Sequence, residues 1–296
     1  MQTFSYRLKK GLTAKDLVLG PYGYATTAAE SYAEFKRLRD AGTVPAGTRF
    51  QVSLPGPGTI GQHLELPVDD ILEISQAALG REIEEMLKTI PARDLTVQID
   101  VAGGDAEPEE YRRRPWAFDT PKQKLLVDFS LDQIVGSVAW IVDRIPRDVE
   151  VGFHICSLWH HDTRGGQDNE VLVDTANLLS KKIVRPIAYT HIPIIPEHDK
   201  NSDYWPFKNL KLHPETKLNL GLINLSDGIE GARRRVEFAT KAGGLTDFGI
   251  AFYCGLGGRA APGAPDPEQN PNPKLRKPNA ETIGEVLDLH RKVAEL

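Results

Sequence analysis

The amino-acid sequence predicts an α/β fold with a parallel sheet, because short apolar runs alternate with amphipathic helical patterns along its 296 residues. Apolar residues dominate the centres of these runs, as expected for strands that are buried on both faces of a sheet. Strands are predicted at 48–53 (TRFQVS), 95–101 (LTVQIDV), 149–154 (VEVGFH), 187–191 (IAYTH), 218–224 (LNLGLIN) and 248–252 (FGIAF), with a weaker seventh at 17–20 (LVLG).

Helical patterns separate the predicted strands. The first follows Tyr24, where Thr27-x-x-Glu30 has the spacing of a capping box, and it ends at a glycine. The segment 255–278 is rich in glycine and proline and is predicted to be a long loop. No internal repeat or separate linker is visible, so residues 1–296 are expected to form a single domain. Further helices are predicted at 69–89, 130–145, 169–182, 228–242 and 281–295.

The spacing of the strand–helix units distinguishes two parallel architectures. Units of about 30 to 55 residues favour a TIM-like (β/α)8 barrel with long loops. The competing architecture is a doubly wound open sheet, but no G-x-G-x-x-G motif follows an early strand to support a dinucleotide site in it. The number of strands does not match a closed barrel, because only six or seven are predicted where a barrel has eight.

The composition of the chain excludes several classes of protein. Acidic and basic residues are mixed along the sequence and the net charge is −5, so no nucleic-acid partner is indicated. No apolar run approaches the roughly 18 residues that a membrane span needs, and the first residues do not form a signal peptide. Two cysteines exclude a disulfide framework and are typical of a reducing compartment. We therefore expect a cytoplasmic protein without a membrane partner.

Both cysteines, Cys156 and Cys254, stand where a predicted strand gives way to polar or glycine-rich sequence. His154 precedes Cys156 by two positions, and residues two apart in a strand lie on the same side. The carboxyl ends of parallel barrel strands open onto one face, which would bring the side chains of His154, Cys156 and Cys254 together. One imidazole and two thiolates suit Zn²⁺, and three ligands with an open position are typical of a catalytic site. On these residues alone, however, buried thiols that serve as small apolar side chains are the favoured interpretation.

The motifs HIC at 154–156 and CGLGGR at 254–259 resemble those of the C-terminal catalytic domain of cobalamin-independent methionine synthases and their relatives. That domain is a TIM barrel of the uroporphyrinogen decarboxylase/methionine synthase-like superfamily. The stretch from Tyr22 to Pro55 is more similar to a different branch of that superfamily than to methionine synthase itself. Further similar stretches are FQVSLPGPGTI at 50–60, LTVQIDVA at 95–102 and the segment from 220 to 259.

The resemblance implies that His154, Cys156 and Cys254 are zinc ligands. In methionine synthases a glutamate from the strand that follows His-x-Cys completes the zinc sphere. That strand here is IAYTHIPIIP, in which Thr190 and His191 stand near the expected place and no carboxylate does. His191 is therefore a replacement ligand or catalytic residue, or it is a polar residue at the rim while water or substrate takes the fourth position.

The resemblance also bears on assembly. Barrels of this superfamily begin with a glycine-rich strand and loop, and the resemblance implies that this chain begins after them. We therefore expect a barrel that is incomplete at its N-terminus, so that either a partner chain supplies the missing segment or the sheet closes differently. The expected assembly is a homo-oligomer, or a hetero-oligomer with the chain that supplies this segment.

Several other residues near the expected rim are candidates for catalysis or substrate binding. Asp100 and Asp105 are the acidic residues of the IDVAGGD stretch, and neither matches the family position cleanly. His160 and His161 follow Cys156 and could bind substrate, although a solvated loop cluster is the favoured explanation of these two histidines. Three further residues are candidates. They are Asp203 as a catalytic carboxylate, Tyr204 as a substrate contact and Arg259 as a partner for a carboxylate or phosphate of the substrate.

Zinc-dependent transfer of a methyl or other alkyl group to a small thiol is the function that the resemblance implies. Its partners would be the thiol and an alkyl donor, and the zinc-bound thiolate would be the nucleophile. Two alternatives remain open. One is a lyase or hydrolase in which the same Zn²⁺ activates water or polarises a carbonyl. The other is a subunit that needs a partner chain to complete the active site.

Overall fold

The computed structural model describes residues 6–61, 64–102, 130–156, 167–194, 198–253 and 279–296. All six of the main predicted strands are confirmed, with bounds that differ by no more than two residues, whereas the weaker strand at 17–20 is wrong because that backbone forms no strand. The sheet order follows the chain, from β1 to β6. The strands are β1 (Phe50–Pro55), β2 (Leu95–Ala102), β3 (Glu150–Cys156), β4 (Tyr189–Pro193), β5 (Lys217–Ile223) and β6 (Gly249–Phe252).

Helices occupy the segments between the strands, and each predicted helix is matched by one in the structure. The short helices α2 and α6, and three 3-10 turns at Ala14–Asp16, Ala92–Asp94 and Trp205–Asn209, are additional. The last helix overlaps the predicted 281–295. The helices are α1 (Tyr24–Asp40), α2 (Pro57–Gly61), α3 (Val68–Thr89), α4 (Leu131–Val142), α5 (Gln167–Lys182), α6 (Asn201–Tyr204), α7 (Gly228–Lys241) and α8 (Asn279–Val293).

The start of α1 differs from the sequence prediction. The helix begins at Tyr24, after Gly23, so Thr27 lies inside its first turns and does not cap it. The carboxylate of Glu82, from α3, instead accepts hydrogen bonds from the backbone N–H groups of Tyr22, Gly23 and Ala25 at 2.6, 3.1 and 2.8 Å. The N–H groups of Gly23 and Ala25 are among those that a helix start leaves without intrahelical partners, and that of Tyr22 directly precedes them.

The chain divides into two compact units, and the first comprises Met1–His154 with Leu178–Ala188. In it β1 and β2 pair in parallel, with Ser53 opposite Gln98 and Pro55 opposite Asp100. One face of this pair carries apolar residues that are almost fully buried, as a sheet face packed against helices requires. The members of this core on the two strands are Val52, Leu54, Val97 and Ile99.

The other face of β1 and β2 is polar. Gln51 and Ser53 are exposed, and Gln98 and Asp100 are partly exposed. The expectation that these strands are buried on both faces is therefore wrong for this pair. Because successive side chains of a strand point to opposite faces, the alternation of apolar and polar residues gives this pair one face in the core and one polar face.

The second unit comprises Ile155–Asn177 with Tyr189–Leu296. Strands β4, β5 and β6 pair in parallel within it, with His191 opposite Asn219 and Asn219 opposite Gly249. Helices α7 and α8 contribute to an apolar core that also takes in the ends of β5 and β6. The buried residues of this core are Ile223, Leu225, Ala232, Phe252, Val286, Leu289 and Val293.

The α/β class and the parallel strand order are thus confirmed. The described residues contain six strands, so the eight strands of a closed (β/α)8 barrel are not all among them. Within the same ranges, no helix is long and apolar enough to cross a membrane.

Candidate functional site

The carboxyl end of β3 carries the first two predicted zinc ligands. His154 lies in this strand and is 6% exposed, and Cys156 is its last residue. The two therefore occupy alternate positions of one strand, as the sequence analysis expects.

Several predicted metal and substrate residues lie outside the described residues. These are Cys254, Asp105, His160, His161, Arg259 and the loop 255–278. Within the ranges that the structure describes, no three His, Cys, Asp or Glu side chains are grouped as a metal site. The zinc-ligand set therefore stays a prediction.

His191 lies in the middle of β4, is almost fully buried, and contacts a glycine of the next strand. A Cβ atom added to Gly221 would stand 2.8 Å from the Nε2 atom of His191 and 2.7 Å from the Cα atom of Tyr253. Any side chain at position 221 would therefore displace the imidazole or the backbone after β6. Glycine at this position creates the recess in which the ring of His191 fits.

A second glycine makes room for a polar side chain on the same strands. Asn219 pairs with His191 on one side and with Gly249 on the other. The Oδ1 atom of Asn219 lies 2.1 Å from the point where a Cβ of residue 249 would stand. His191 and Asn219 are thus neighbouring polar residues in β4 and β5, each accommodated by a glycine.

Asp100, a predicted catalytic carboxylate, lies near the carboxyl end of β2. Its Oδ1 atom accepts a hydrogen bond of 2.7 Å from the side-chain amide of Gln98. The same amide donates to Ser53 at 3.1 Å, and the carbonyl oxygen of Gln98 accepts from Gln51 at 3.2 Å. The pKa of the nearby Tyr24 phenol is raised, first by burial and then by negative charges that include that of Asp100. Asp100 is therefore an oriented, partly exposed carboxylate.

Asp203 and Tyr204, which the sequence places on the loop after β4, lie at α6 and are buried. The Oδ2 atom of Asp203 accepts from the backbone N–H of Lys200 at 3.1 Å, so this carboxylate holds the first turn of the helix. The hydroxyl of Tyr204 donates to the backbone carbonyl of His198 at 3.0 Å, and burial raises the pKa of this phenol far above its ordinary value. Both side chains make contacts that stabilise this segment.

Sequence reasoning missed two residues beside them. Asn169, near the start of α5, is fully buried, and its side-chain nitrogen lies 3.2 Å from the Nδ1 atom of His198 and 2.6 Å from the backbone oxygen of Asp203. His198 is 2% exposed. No local motif marks this pair, because the two residues are 29 positions apart in the sequence.

Asp227 has a role that differs from the helix cap that its position suggests. It precedes α7, but its side chain makes no capping hydrogen bond. Its two carboxylate oxygens instead accept from Arg235 at 2.6 and 2.9 Å, and the Nε atom of Arg235 donates to the carbonyl oxygen of Leu222. The carboxylate passes over Gly231, where a Cβ atom would lie 2.0 Å from it. This pair, in which Arg235 is buried and Asp227 is partly exposed, fixes the loop between β5 and α7.

A cavity of about 820 Å³ lies at the amino ends of β5 and β6, the ends opposite those that carry the predicted rim. The aromatic and aliphatic side chains of Phe207, Leu245 and Phe248 line part of it. Its lining has two lysines, one aspartate and one glutamate, so the net charge of these side chains is zero. The charge of the lining therefore indicates neither an anionic nor a cationic ligand. The charged lining residues are Lys208, Glu215, Lys217 and Asp247.

No protein-family model matches this chain, and no curated protein matches it. A solved structure that is similar to it is that of a candidate vitamin-B12-independent methionine synthase from Listeria monocytogenes, with 16% sequence identity and a TM-score of 0.46. The similarity covers 83% of this chain and 61% of that protein, so this chain spans about three fifths of the other's length. The family resemblance rests on the sequence motifs at 154–156 and 254–259.

Proposed function

We propose that this protein transfers a methyl or other alkyl group from a donor to the sulfur of a small thiol, with Zn²⁺ as cofactor. The observation that carries the proposal is the end of β3, where His154 is buried and Cys156 follows two positions later in the same strand. Cys254 stands two positions after the last residue of β6. In the sequence, each predicted ligand thus stands at or just after the carboxyl end of a parallel strand, where α/β barrels carry their active sites.

The ligand atoms of these three residues fit Zn²⁺ better than a hard cation such as Mg²⁺ or Ca²⁺. One imidazole and two thiolates are a common catalytic zinc set, whereas Mg²⁺ and Ca²⁺ take oxygen ligands. His191 is the side chain that we propose for the position of the missing glutamate, because its ring is buried and Gly221 leaves the recess for it. Zinc bound there would lower the pKa of a thiol substrate and keep its sulfur nucleophilic at neutral pH.

The other predicted residues divide into two groups in this proposal. Asp100 is partly exposed and oriented by Gln98, so it is the carboxylate that can exchange protons with a substrate. Asp203 and Tyr204 are buried, and their polar atoms bind backbone groups. We therefore assign these two to holding the segment after β4, and we leave substrate binding to His160, His161 and Arg259.

Metal content tests the proposal directly. Elemental analysis of protein purified without added metal should find about one zinc per chain, because three protein ligands hold such an ion tightly. The metal should be lost in Cys254→Ser and in His154→Gln. It should be retained in the control His213→Gln, which changes a partly buried histidine that faces Glu215 at 3.7 Å. Zinc-loaded protein would then be assayed with small thiols and alkyl donors.

One result would overturn the proposal. If the folded wild-type protein contains no metal and does not bind added zinc, thiol activation by a metal is not its mechanism. If zinc is present but remains in both ligand variants, the ion is bound elsewhere and the assignment of His154 and Cys254 is wrong.

A further inference from the structure

A buried polar cluster follows β4 in the second unit. It consists of Asn169 from α5 together with His198, Asp203 and Tyr204, and each of the four residues is 2% exposed or less. Buried polar groups are costly unless they are paired, so the hydrogen bonds of the cluster constrain its protonation. The distances around Asn169 decide which atoms donate.

The orientation of the Asn169 amide follows from chemistry. One amide atom lies 2.6 Å from the backbone oxygen of Asp203 and 3.2 Å from the Nδ1 atom of His198. A backbone oxygen can only accept, so the atom that faces it must be the amide nitrogen. The reverse assignment would place two acceptor oxygens 2.6 Å apart in a buried site.

The tautomer of His198 follows from the orientation of this amide. The amide nitrogen of Asn169 has no lone pair to offer, so the Nδ1 atom of His198 must accept and carries no proton. We infer that Asn169 holds His198 as the neutral imidazole with its proton on Nε2. The hydroxyl of Tyr204 donates to the backbone carbonyl of the same residue at 3.0 Å, so both the ring and the backbone of His198 are fixed.

This tautomer gives His198 a defined role. A nitrogen that carries a proton can neither ligate a metal nor act as a base, and the Nδ1 atom already accepts from Asn169. His198 is therefore a positioning residue that ties the segment after β4 to the start of α5. The consequence for zinc rests on the proposed function. In that site, His191 and not His198 has the imidazole that is available as the fourth ligand.

Nuclear magnetic resonance of protein with isotope-labelled histidine tests the tautomer. The signal of His198, assigned with a His198→Gln variant, should show an unprotonated Nδ1 and a protonated Nε2 at neutral pH. Asn169→Asp replaces the donor with an acceptor and should move a proton onto Nδ1. The control Asn177→Asp, on the same helix, alters an amide that donates to the carbonyl of Asn209 at 2.9 Å, and it should leave His198 unchanged.

Two outcomes contradict the tautomer. A protonated Nδ1 in the wild-type protein at neutral pH would show that Asn169 does not impose this tautomer. An unchanged His198 signal in a folded Asn169→Asp protein would show the same.

Zinc affinity tests the positioning role separately. Asn169→Leu should weaken zinc binding, because it releases the segment that follows β4, the strand of His191, while Asn177→Leu should not. Unchanged affinity in a folded Asn169→Leu protein would remove the positioning role. A wild-type protein that binds no zinc would refute the proposed function, whereas the tautomer would still be decided by the resonance experiment.

Discussion

Asp94 is a buried carboxylate that two neighbouring side chains keep ionised. The hydroxyl of Tyr32 donates to it at 2.6 Å, and the guanidinium of Arg39 lies 2.7 Å from the same oxygen. These contacts, first that of Arg39 and then that of Tyr32, lower the pKa of Asp94 from its ordinary value of 3.8 to about 2. The folded protein therefore stabilises the ionised form of Asp94 more than the unfolded chain does.

The free energy of unfolding should depend on pH through this residue. Because the folded-state pKa is depressed, the contribution of Asp94 is fully present above pH 3.8 and is lost as the pH falls through about 2. Asp94→Asn should destabilise the protein at neutral pH by about 1–3 kcal/mol, since it leaves Arg39 without its partner. Urea unfolding should show that the difference between wild type and variant shrinks as the pH is lowered.

A control substitution at a second aspartate distinguishes the effect of Asp94 from a general loss of stability in acid. Asp40 pairs with Lys36 on the exposed face of α1, and such pairs contribute about 0–1 kcal/mol. Asp40→Asn should therefore change the free energy of unfolding little at any pH. A difference between wild type and Asp94→Asn that stays constant with pH would contradict the ion-pair account.

At the scale of the element, a helix start can be predicted when its cap is local. Helix α4 begins after Ser130, whose hydroxyl accepts from the backbone N–H of Gln133 while the Gln133 side chain accepts from the backbone N–H of Ser130. The sequence prediction places this start within one residue. The start of α1 is misplaced, because its cap is Glu82, 57 positions away from Ala25. A spacing rule cannot detect a cap that only tertiary packing supplies.

Two substitutions distinguish the local cap from the distant one. If Thr27 capped α1, Thr27→Ala would cost about 1 kcal/mol. The structure places it inside the helix, so we expect Thr27→Ala to change the free energy of unfolding by no more than about 0.5 kcal/mol. Glu82→Ala leaves three backbone N–H groups without their acceptor and should cost about 2 kcal/mol or more, measured by denaturant unfolding. Equal effects of the two changes would contradict this assignment.

At the scale of the whole molecule, the strands and their parallel order are predictable because apolar runs and their spacing encode them. The polar face of β1 and β2 is missed, since residues such as Gln51 and Ser53 stand between apolar ones in runs that look buried throughout. The alternate positions of His154 and Cys156 in β3 are predictable because they depend on one strand alone. Asn169 and His198 are missed because only the packing of α5 against the segment after β4 brings them together.

Zinc should stabilise the entire protein if its ligands come from separate strands. A ligand that binds only the folded state adds about 2.7 kcal/mol when its free concentration is 100 times its dissociation constant. Thermal unfolding of the metal-free wild type should therefore shift upward with zinc, and the shift should be absent in Cys254→Ser. Mg²⁺ is the control cation, because imidazole and thiolate do not suit it.

The pH dependence of this stabilisation has a definite sign. Cysteine and histidine must lose protons to bind the metal, so protons compete with zinc and the shift should weaken as the pH falls. An equal upward shift with Mg²⁺, or one that Cys254→Ser retains in full, would show that the ion acts at a different site. A shift that grows toward low pH would exclude thiolates as its ligands, because protonated thiols do not bind zinc.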